Sequence, residues 1–197
     1  MSNSQNDEEA VILRYAGAEP KEVLDIGAYD GKTYSNSFAL IERGWSAILV
    51  EPSPSAFLKL MKLHGENKNV KLLNAMVGIE TRIAKFYDCE GDLCSSSLEK
   101  NRDLWAGAGR KFTEYYVPQI TLQTMTNQLG GGPTVVSIDC EGTSVDILMS
   151  MPTGWAPRVV VVEHDSRIIE IVGWMRDRGL QLAEGGINGE NAIFVRK

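Results

Sequence analysis

The chain has 197 residues, 43% hydrophobic and 23% charged, which suits a single domain with a sizeable core. Its net charge of −6 argues against a nucleic-acid substrate, because phosphate binding normally needs a basic face. No apolar run is long enough to span a bilayer, and the polar, acidic start lacks the features of a secretory signal. We therefore expect a cytoplasmic protein with a disordered tail at 1–7 and a single domain at 8–197.

In chain order, strand-like and helix-like segments alternate, which predicts a mostly parallel α/β sheet with helices on both faces. The predicted elements are a helix at 8–16, a strand at 21–26, a helix at 33–43 stopped by Gly44, a strand at 46–51, a helix opened by Ser53 and Pro54 that runs to 64, strands at 70–74, 82–87 and 115–120, a helix at 122–129, a break at 130–133, a strand at 134–139, a helix at 143–149, a strand at 158–163, a helix at 168–178, and strands at 180–183 and 192–196. The last two strands, joined by a glycine-rich turn at 185–189, predict a C-terminal antiparallel hairpin.

Residues 88–113 form a long polar segment, rich in serine and glycine, between two predicted strands. A connection of this length is either a functional loop or contains a short helix. Its serines at 95–97 and Trp105 could close over a substrate as a lid, and the alternative is a flexible surface loop.

The three cysteines, Cys89, Cys94 and Cys140, are an odd number in a chain without a secretory signal, which argues against a disulfide framework. Cys89 and Cys94 could pair under oxidation or share a metal, but a zinc site needs two further ligands. The histidines lie far away in sequence. We therefore interpret the cysteines as free thiols and predict no metal site.

A nucleotide-site pattern begins at the first strand, which runs through Asp25 into a turn with Gly27 and Gly31. Glycine lets the backbone pass close to a ligand, and in a doubly wound sheet this turn lies beside the binding crevice. The second strand ends at Glu51, about 20 residues after Gly31, where an acid can accept hydrogen bonds from both ribose hydroxyls. Pro52 stops that strand and supports the turn. The pattern predicts a nucleoside site.

The turn departs from the dinucleotide-binding pattern, since Tyr29 stands where a second glycine is required. Tyr29 and Asp30 would crowd and repel a pyrophosphate at a helix N-terminus. A ligand with a cationic sulfonium and an amino group tolerates Asp25 and Asp30 better. The residues therefore favour S-adenosylmethionine over NAD.

At this point the sequence resembles the FkbM-type methyltransferases, over about residues 22–196. The segments that carry the resemblance are VLDIGAYDGKTYSNSF, AILVEPSPSAFLKL, NVKLLNAMVG, VVSIDCEGTSVDIL, VVVVEH and NAIFV. The most specific piece is SIDCEG at 137–142, similar to the family's K-I-D-x-E-G. Ser137 stands at the lysine position, which leaves any role of that lysine unfilled.

The resemblance implies a Rossmann-like, seven-stranded class I methyltransferase sheet whose last strand is antiparallel. It also implies methyl transfer to hydroxyl oxygens of sugars, lipids or polyketide products, with S-adenosylmethionine as donor. Gly27, Ala28, Gly31 and Glu51 would line the cofactor site, and Ala75 or Met76 would lie near the adenine. Asp25, Tyr29 and Pro52 complete the expected cofactor site.

Candidate catalytic groups follow the fourth and fifth strands of the alternation, because open sheets bind ligands at the carboxyl ends of their strands. Asp139 is expected to act as a base or to orient the acceptor, and Glu141 to hold the acceptor or the amino end of the cofactor. His164 has a pKa suited to a proton relay. Each has a structural alternative: the acids could cap helices, and His164 could be a polar residue at a strand end. Two or three acids could also hold Mg²⁺, which no specific ligand motif favours.

The leading hypothesis is an O-methyltransferase acting on a small hydroxylated molecule. The alternatives are an RNA or protein methyltransferase, a non-catalytic nucleoside-binding or assembly protein, and an NAD-binding reductase. The sequence determines neither the acceptor nor the oligomeric state.

Overall fold

The computed structural model describes residues 4–5, 7–17, 21–90, 92–129 and 132–196. Within them, the helices are α1 Glu8–Ala16, α2 Phe38–Ile41, α3 Pro54–His64, α4 Glu99–Gly107, α5 Leu122–Leu129, α6 Ser144–Met149 and α7 Ile168–Asp177. The strands are β1 Glu22–Ile26, β2 Ser46–Val50, β3 Val70–Leu73, β4 Met76–Val77, β5 Arg82–Asp88, β6 Thr113–Ile120, β7 Val135–Ile138, β8 Val159–Glu163, β9 Gln181–Asn188 and β10 Asn191–Val195. None of the described helices is long and apolar enough to cross a membrane.

The main sheet has seven strands in the order β3-β2-β1-β7-β8-β10-β9. The pairs from β3 to β8 are parallel, whereas β10 runs antiparallel to both β8 and β9. This confirms the predicted Rossmann-like, mostly parallel sheet with a C-terminal antiparallel hairpin. The chain winds outward in opposite directions from β1, so the crevice at the ends of β1, β2 and β7 is the topological switch point.

Apolar side chains fill both faces of the main sheet, because successive residues of a strand point to opposite faces. Leu24 packs in the cluster that contains helices α5, α6 and α7, and its neighbour Val23 packs in the cluster that contains α1, α2 and α3. The two-sided burial explains the unbroken run of valines in β8, which would not suit a half-exposed strand.

A second, three-stranded sheet in the order β4-β6-β5 lies outside the alternation of the main sheet. The strand predicted at 82–87 is confirmed as β5, which pairs antiparallel with β6. The sheet has its own small apolar cluster of Met76, Ala84, Phe86 and Val117. The segment after β5 contains helix α4, as one of the two interpretations of residues 88–113 predicted.

The helix predicted at 33–43 was largely wrong, because only Phe38–Ile41 is helical. The carboxylate of Asp30 accepts hydrogen bonds from the N–H groups of Lys32 and Thr33 and from the Thr33 hydroxyl, which fixes a turn. Tyr34 then takes a left-handed conformation with φ of 56°. The helix therefore begins at Phe38, five residues later than predicted.

The C-terminal hairpin is tighter than predicted. Strand β9 continues through Gly185 and Gly186 to Asn188, so the turn is at 189–190 rather than 185–189. Gly185 has a φ of 68°, and the register with β10 shifts between Ala192 and Phe194. The glycines thus accommodate a bulge within the strand.

Cys89 and Cys94 form a disulfide, so their interpretation as free thiols was wrong, while Cys140 is free. A turn in which the Asp92 N–H donates to the Cys89 carbonyl brings the two cysteines together, with their Cα atoms 5.9 Å apart. At the N-terminus, Ser4 pairs with Tyr34 in a β-bridge and accepts the Glu9 N–H. The disordered tail at 1–7 stays a prediction, and part of it lies outside the described residues, as do residues 130 and 131 of the predicted break.

Gly27 and Gly44 provide a matched test of why the turn after β1 needs glycine, because both have a φ of 84°. A Cβ on Gly27 would lie 1.8 Å from the Asp139 carbonyl oxygen, whereas one on Gly44 would meet nothing within 4 Å. We expect Gly44→Ala to lower the free energy of unfolding by about 1 kcal/mol and Gly27→Ala by about 3 kcal/mol or more, measured by urea denaturation. Equal losses would contradict the close packing of β1 on β7.

Candidate active site

A pocket opens at the carboxyl ends of β1, β2 and β7, with about 710 Å³ of empty space, part of it open to solvent. Its apolar lining includes Ala75, Met76, Val77 and Phe86. Its polar lining includes four residues that follow β7, namely Asp139, Cys140, Glu141 and Thr143. The segment after β5 adds Asp92, Leu93 and the serines at 95–97. The pocket therefore lies between the switch point of the main sheet and the second sheet with its following loop.

Glu51 lines the pocket and is only 6% exposed. One carboxylate oxygen accepts the Tyr29 N–H at 2.9 Å, and the other accepts the Ser53 N–H at 2.7 Å. Burial raises the pKa of Glu51 to about 8, the two backbone hydrogen bonds oppose that rise, and the charges of Asp88 and Asp25 add to it. Each oxygen has a second acceptor position, so the carboxylate can still bind a hydroxyl.

The turn after β1 brings backbone against the pocket, as its glycines predicted. The N–H groups of Gly27 and Ala28 both donate to the Val50 carbonyl, at 2.9 and 3.1 Å, which ties this turn to the end of β2. Tyr29 then takes a φ of 50°. The residues of this region that line the pocket are Gly27, Tyr29 and Pro52. Five predicted cofactor residues thus surround one cavity with Glu51: these three, Ala75 and Met76.

Asp25, Ala28 and Gly31 are not among the residues that line the pocket. The carboxylate of Asp25 is buried and accepts a hydrogen bond from Ser37. Burial raises the pKa of Asp25, and bonds from Ser37 and Ser137 oppose this. Gly31 packs against Leu60 and His64 of α3, with no room for a Cβ. These residues lie outside the pocket lining, and a direct role in cofactor binding stays a prediction.

Asp139 lines the pocket and is hydrogen-bonded to the side chain of Glu163, at the end of the adjacent strand β8. Burial and then repulsion from Glu163 and Glu141 raise the pKa of Asp139 well above its usual range. Burial and repulsion from Asp165 likewise raise the pKa of Glu163, which also accepts a hydrogen bond from the Ser144 hydroxyl at 3.1 Å. The pair can therefore share a proton, as two adjacent buried carboxyls do.

Glu141 also lines the pocket, with a left-handed φ of 47°. Its carbonyl accepts hydrogen bonds from the Ser96 hydroxyl and the Asn101 amide at 3.3 and 2.7 Å, which fasten the segment after β5 to the end of β7. Burial raises the pKa of its carboxyl to about 7, with repulsion from Glu163, Glu190 and Asp165 adding to the effect. Whether this segment opens as a lid stays a prediction.

His164 is not among the pocket-lining residues, and backbone groups occupy both of its ring nitrogens. Nδ1 accepts the Ser166 N–H at 3.1 Å, and Nε2 lies 3.1 Å from the Gly189 carbonyl, to which it can donate. These contacts hold the hairpin turn against the end of β8. The geometry fits the structural alternative for His164, and the catalytic assignment stays a prediction.

Asp165 has a structural role at the start of α6. It accepts hydrogen bonds from the N–H groups of Ser144 and Val145, so it caps the start of α6 rather than the helix that follows it in sequence. Within the described part of the chain, no three His, Cys, Asp or Glu side chains are grouped so as to hold a metal ion.

Sequence reasoning missed several pocket residues, namely Ser53, Asp92 and Leu93 as lining residues and Glu163 as the partner of Asp139. Ser53 carried a detectable signal as the N-cap of α3, and its hydroxyl does accept the Ala56 N–H. Among the described residues that line the pocket there are four carboxylates, Glu51, Asp92, Asp139 and Glu141, and no lysine, arginine or histidine. The pocket is therefore suited to a ligand with positive charge and hydroxyl groups.

The raised pKa of Glu141 makes the stability of the protein depend on pH. Folding penalises the ionised form, so the penalty is absent below the ordinary value of 4.5 and complete above about 7. We expect Glu141→Gln to leave the free energy of unfolding unchanged near pH 4 and to raise it by roughly 2 kcal/mol near pH 9, by urea denaturation. Glu66→Gln, at an exposed position, is the control. A variant no more stable than wild type at high pH would contradict the account.

Comparisons with solved structures agree with this fold. The ribosomal protein L11 methylase from Lactobacillus delbrueckii subsp. bulgaricus is 10% identical with a TM-score of 0.50, covering 96% of this chain and 77% of that one. A chain of the fibrillarin/Nop5p complex is 14% identical with a TM-score of 0.51, covering 95% and 79%. At these identities the likeness shows the fold alone. Comparison with curated proteins gives no match.

The family model described as the methyltransferase FkbM domain matches residues 25–182. The match begins at Asp25 in β1 and extends into β9, so it includes the turn after β1, Glu51, the second sheet and the acids after β7 and β8. It spans most of the chain. This protein therefore belongs to the FkbM methyltransferase family.

Proposed function

We propose that this protein transfers a methyl group from S-adenosylmethionine to a hydroxyl group of a small molecule, sugar or lipid. The observation that carries the proposal is the buried carboxylate of Glu51, which faces the pocket between the turn after β1 and the start of α3. An acid at this point of a doubly wound sheet is placed to bind the ribose of a nucleoside.

The described residues fit the methyl donor on three counts. Glu51 keeps acceptor capacity for both ribose hydroxyls after binding two N–H groups. The apolar lining formed by Ala75, Met76, Val77 and Phe86 suits the flat adenine ring. The acidic residues after β7 suit the positive charge of the sulfonium and amino groups. A negatively charged pyrophosphate would not suit them.

S-adenosylmethionine supplies an electrophilic methyl group, so the protein has to align an acceptor oxygen with it and take up the hydroxyl proton. Asp139 lines the pocket, and its raised pKa makes its carboxylate a stronger base than an ordinary aspartate. Glu163 contacts Asp139 from outside the pocket lining and can share the proton that Asp139 accepts. This assignment makes Asp139 the base and Glu163 its positioning partner.

The charge of the pocket supports a neutral hydroxylated acceptor over an anionic one. The described lining residues include four acidic side chains and no basic group, so a phosphate brought into the pocket would meet no positively charged side chain to compensate its charge. The same feature weighs against RNA as acceptor. In a complex with a neutral acceptor, S-adenosylmethionine would supply the positive charge that the acidic lining favours.

Binding of the methyl donor gives a direct test of the proposed function. We expect S-adenosylmethionine and S-adenosylhomocysteine, but not NAD, to raise the melting temperature, because a ligand bound by the folded state stabilises it. Glu51→Ala should raise the dissociation constant of S-adenosylhomocysteine by roughly 10- to 100-fold through loss of charge-assisted hydrogen bonds, measured by calorimetry. Glu66→Ala is the matched control at an exposed site. Stabilisation by NAD alone would refute the proposal.

The rate of methyl transfer tests the role of Asp139 as base. Asp139→Asn removes the base but keeps a side chain of the same shape, so we expect the rate constant of single-turnover methyl transfer to fall by about 10²- to 10⁴-fold while donor affinity changes little. The acceptor would come from a panel of hydroxylated compounds screened with radiolabelled donor. An unchanged rate would remove Asp139 from the mechanism, whereas donor binding without any turnover would favour the non-catalytic alternative.

A further inference from the structure

The carboxylate of Asp88 gathers serine hydroxyls from two separate segments of the chain. It lies at the end of β5, is 1% exposed and is not among the residues that line the pocket. Oδ1 accepts the hydroxyl of Ser53 at 2.7 Å, and Oδ2 accepts the hydroxyl of Ser55 at 2.9 Å. The hydroxyl of Ser95 lies 3.1 Å from Oδ1 and 2.9 Å from the Asp92 carbonyl oxygen, so its one proton is shared between these two acceptors. Ser53 and Ser55 belong to the start of α3, whereas Ser95 belongs to the loop after β5.

One of these contacts connects Asp88 to Glu51. The Ser53 hydroxyl donates its only proton to Asp88, which leaves its lone pairs to accept the Ala56 N–H at 3.0 Å. The backbone N–H of the same serine donates to Glu51 at 2.7 Å. Asp88 thus determines the position of the residue that orients Glu51.

The other contact connects Asp88 to the loop after β5. Ser95 lines the pocket, as Ser53 does, and its oxygen accepts the Cys89 N–H at 2.9 Å. The disulfide between Cys89 and Cys94 closes the loop that Ser95 follows. A single buried carboxylate therefore joins two segments of the pocket lining, the start of α3 and the loop after β5.

We propose that Asp88 is a positioning residue of the methyl-donor site, which holds the pocket-lining residues Ser53 and Ser95 beside each other and, through Ser53, fixes the carboxylate of Glu51. The inference rests on the proposed function, because it assigns the pocket to the adenosine of the donor. Asp88 acts through other residues and touches no ligand itself. The carboxylates that face Glu51 are those of Asp88 and Asp25, and the nearest polar backbone groups are those of Tyr29 and Ser53.

Two substitutions separate the hydrogen bonds of Asp88 from its charge. Asp88→Ala removes all three serine contacts. In Asp88→Asn the amide oxygen can still accept from Ser53 and Ser95, while the amide nitrogen can donate to Ser55, so positioning is kept and the charge is lost. Asp177→Ala, at an exposed site at the end of α7, is the control.

The experiment measures the affinity of each variant for S-adenosylhomocysteine and its 2′-deoxy analogue by calorimetry across a range of pH. We expect Asp88→Ala to weaken binding of the ribose form at least tenfold and to bind the two forms almost equally, because Glu51 is no longer held. Asp88→Asn should bind within about threefold of wild type, with the pH dependence of its affinity shifted to lower pH, since a charge that raises the pKa of Glu51 is gone.

The outcomes distinguish the two proposals. If wild type fails to bind S-adenosylhomocysteine, the proposed function falls and the role of Asp88 falls with it. If wild type binds and Asp88→Ala binds with the same affinity and ribose preference, the role of Asp88 alone is overturned. Should Asp88→Ala not fold, Asp88→Asn decides, because it keeps the hydrogen-bonding side chain: a loss of the ribose preference in that variant would refute the inference.

Discussion

Glu51 accepts the N–H groups of Tyr29 and Ser53, and through them it joins the turn after β1 to the start of α3. The rest of the site depends on this contact, because it places an acid inside the crevice at the switch point of the sheet. Burial raises its pKa to about 8, and a hydroxyl-bearing ligand that donates hydrogen bonds to the carboxylate would offset part of the cost of burying its charge. Ligand binding and protein stability would then be linked at the same atoms.

Buried carboxyl groups occur repeatedly along this edge of the main sheet. Asp25, Glu51, Asp139 and Glu163 lie in or directly after β1, β2, β7 and β8, and burial raises the pKa of each. Neighbouring carboxyls in one desolvated region repel one another, and each is held by hydrogen bonds or shares a proton. A cationic donor reduces this repulsion when it binds. The acidic edge therefore supports both the choice of ligand and the basicity of Asp139.

Local patterns predicted the parts of the protein that depend on neighbouring residues in sequence. The alternation of strands and helices, the Ser53 cap and the placing of Glu51 and Asp139 in one crevice follow from apolar runs, turn residues and the topology of parallel strands. The second sheet and the contacts of Asp88 depend on pairings between distant segments, which periodicity does not reveal. The residue type of His164 suggested a catalytic role, yet both of its ring nitrogens contact backbone groups. The Cys89–Cys94 pair depended on a short turn that the cysteine count could not show.

A crystal structure of the protein with S-adenosylhomocysteine tests the central claim most directly. The account predicts both ribose hydroxyls within about 2.6–3.0 Å of the Glu51 carboxylate oxygens, with the backbone contacts to Tyr29 and Ser53 retained. A nucleoside bound elsewhere, or bound here with its ribose away from Glu51, would contradict it.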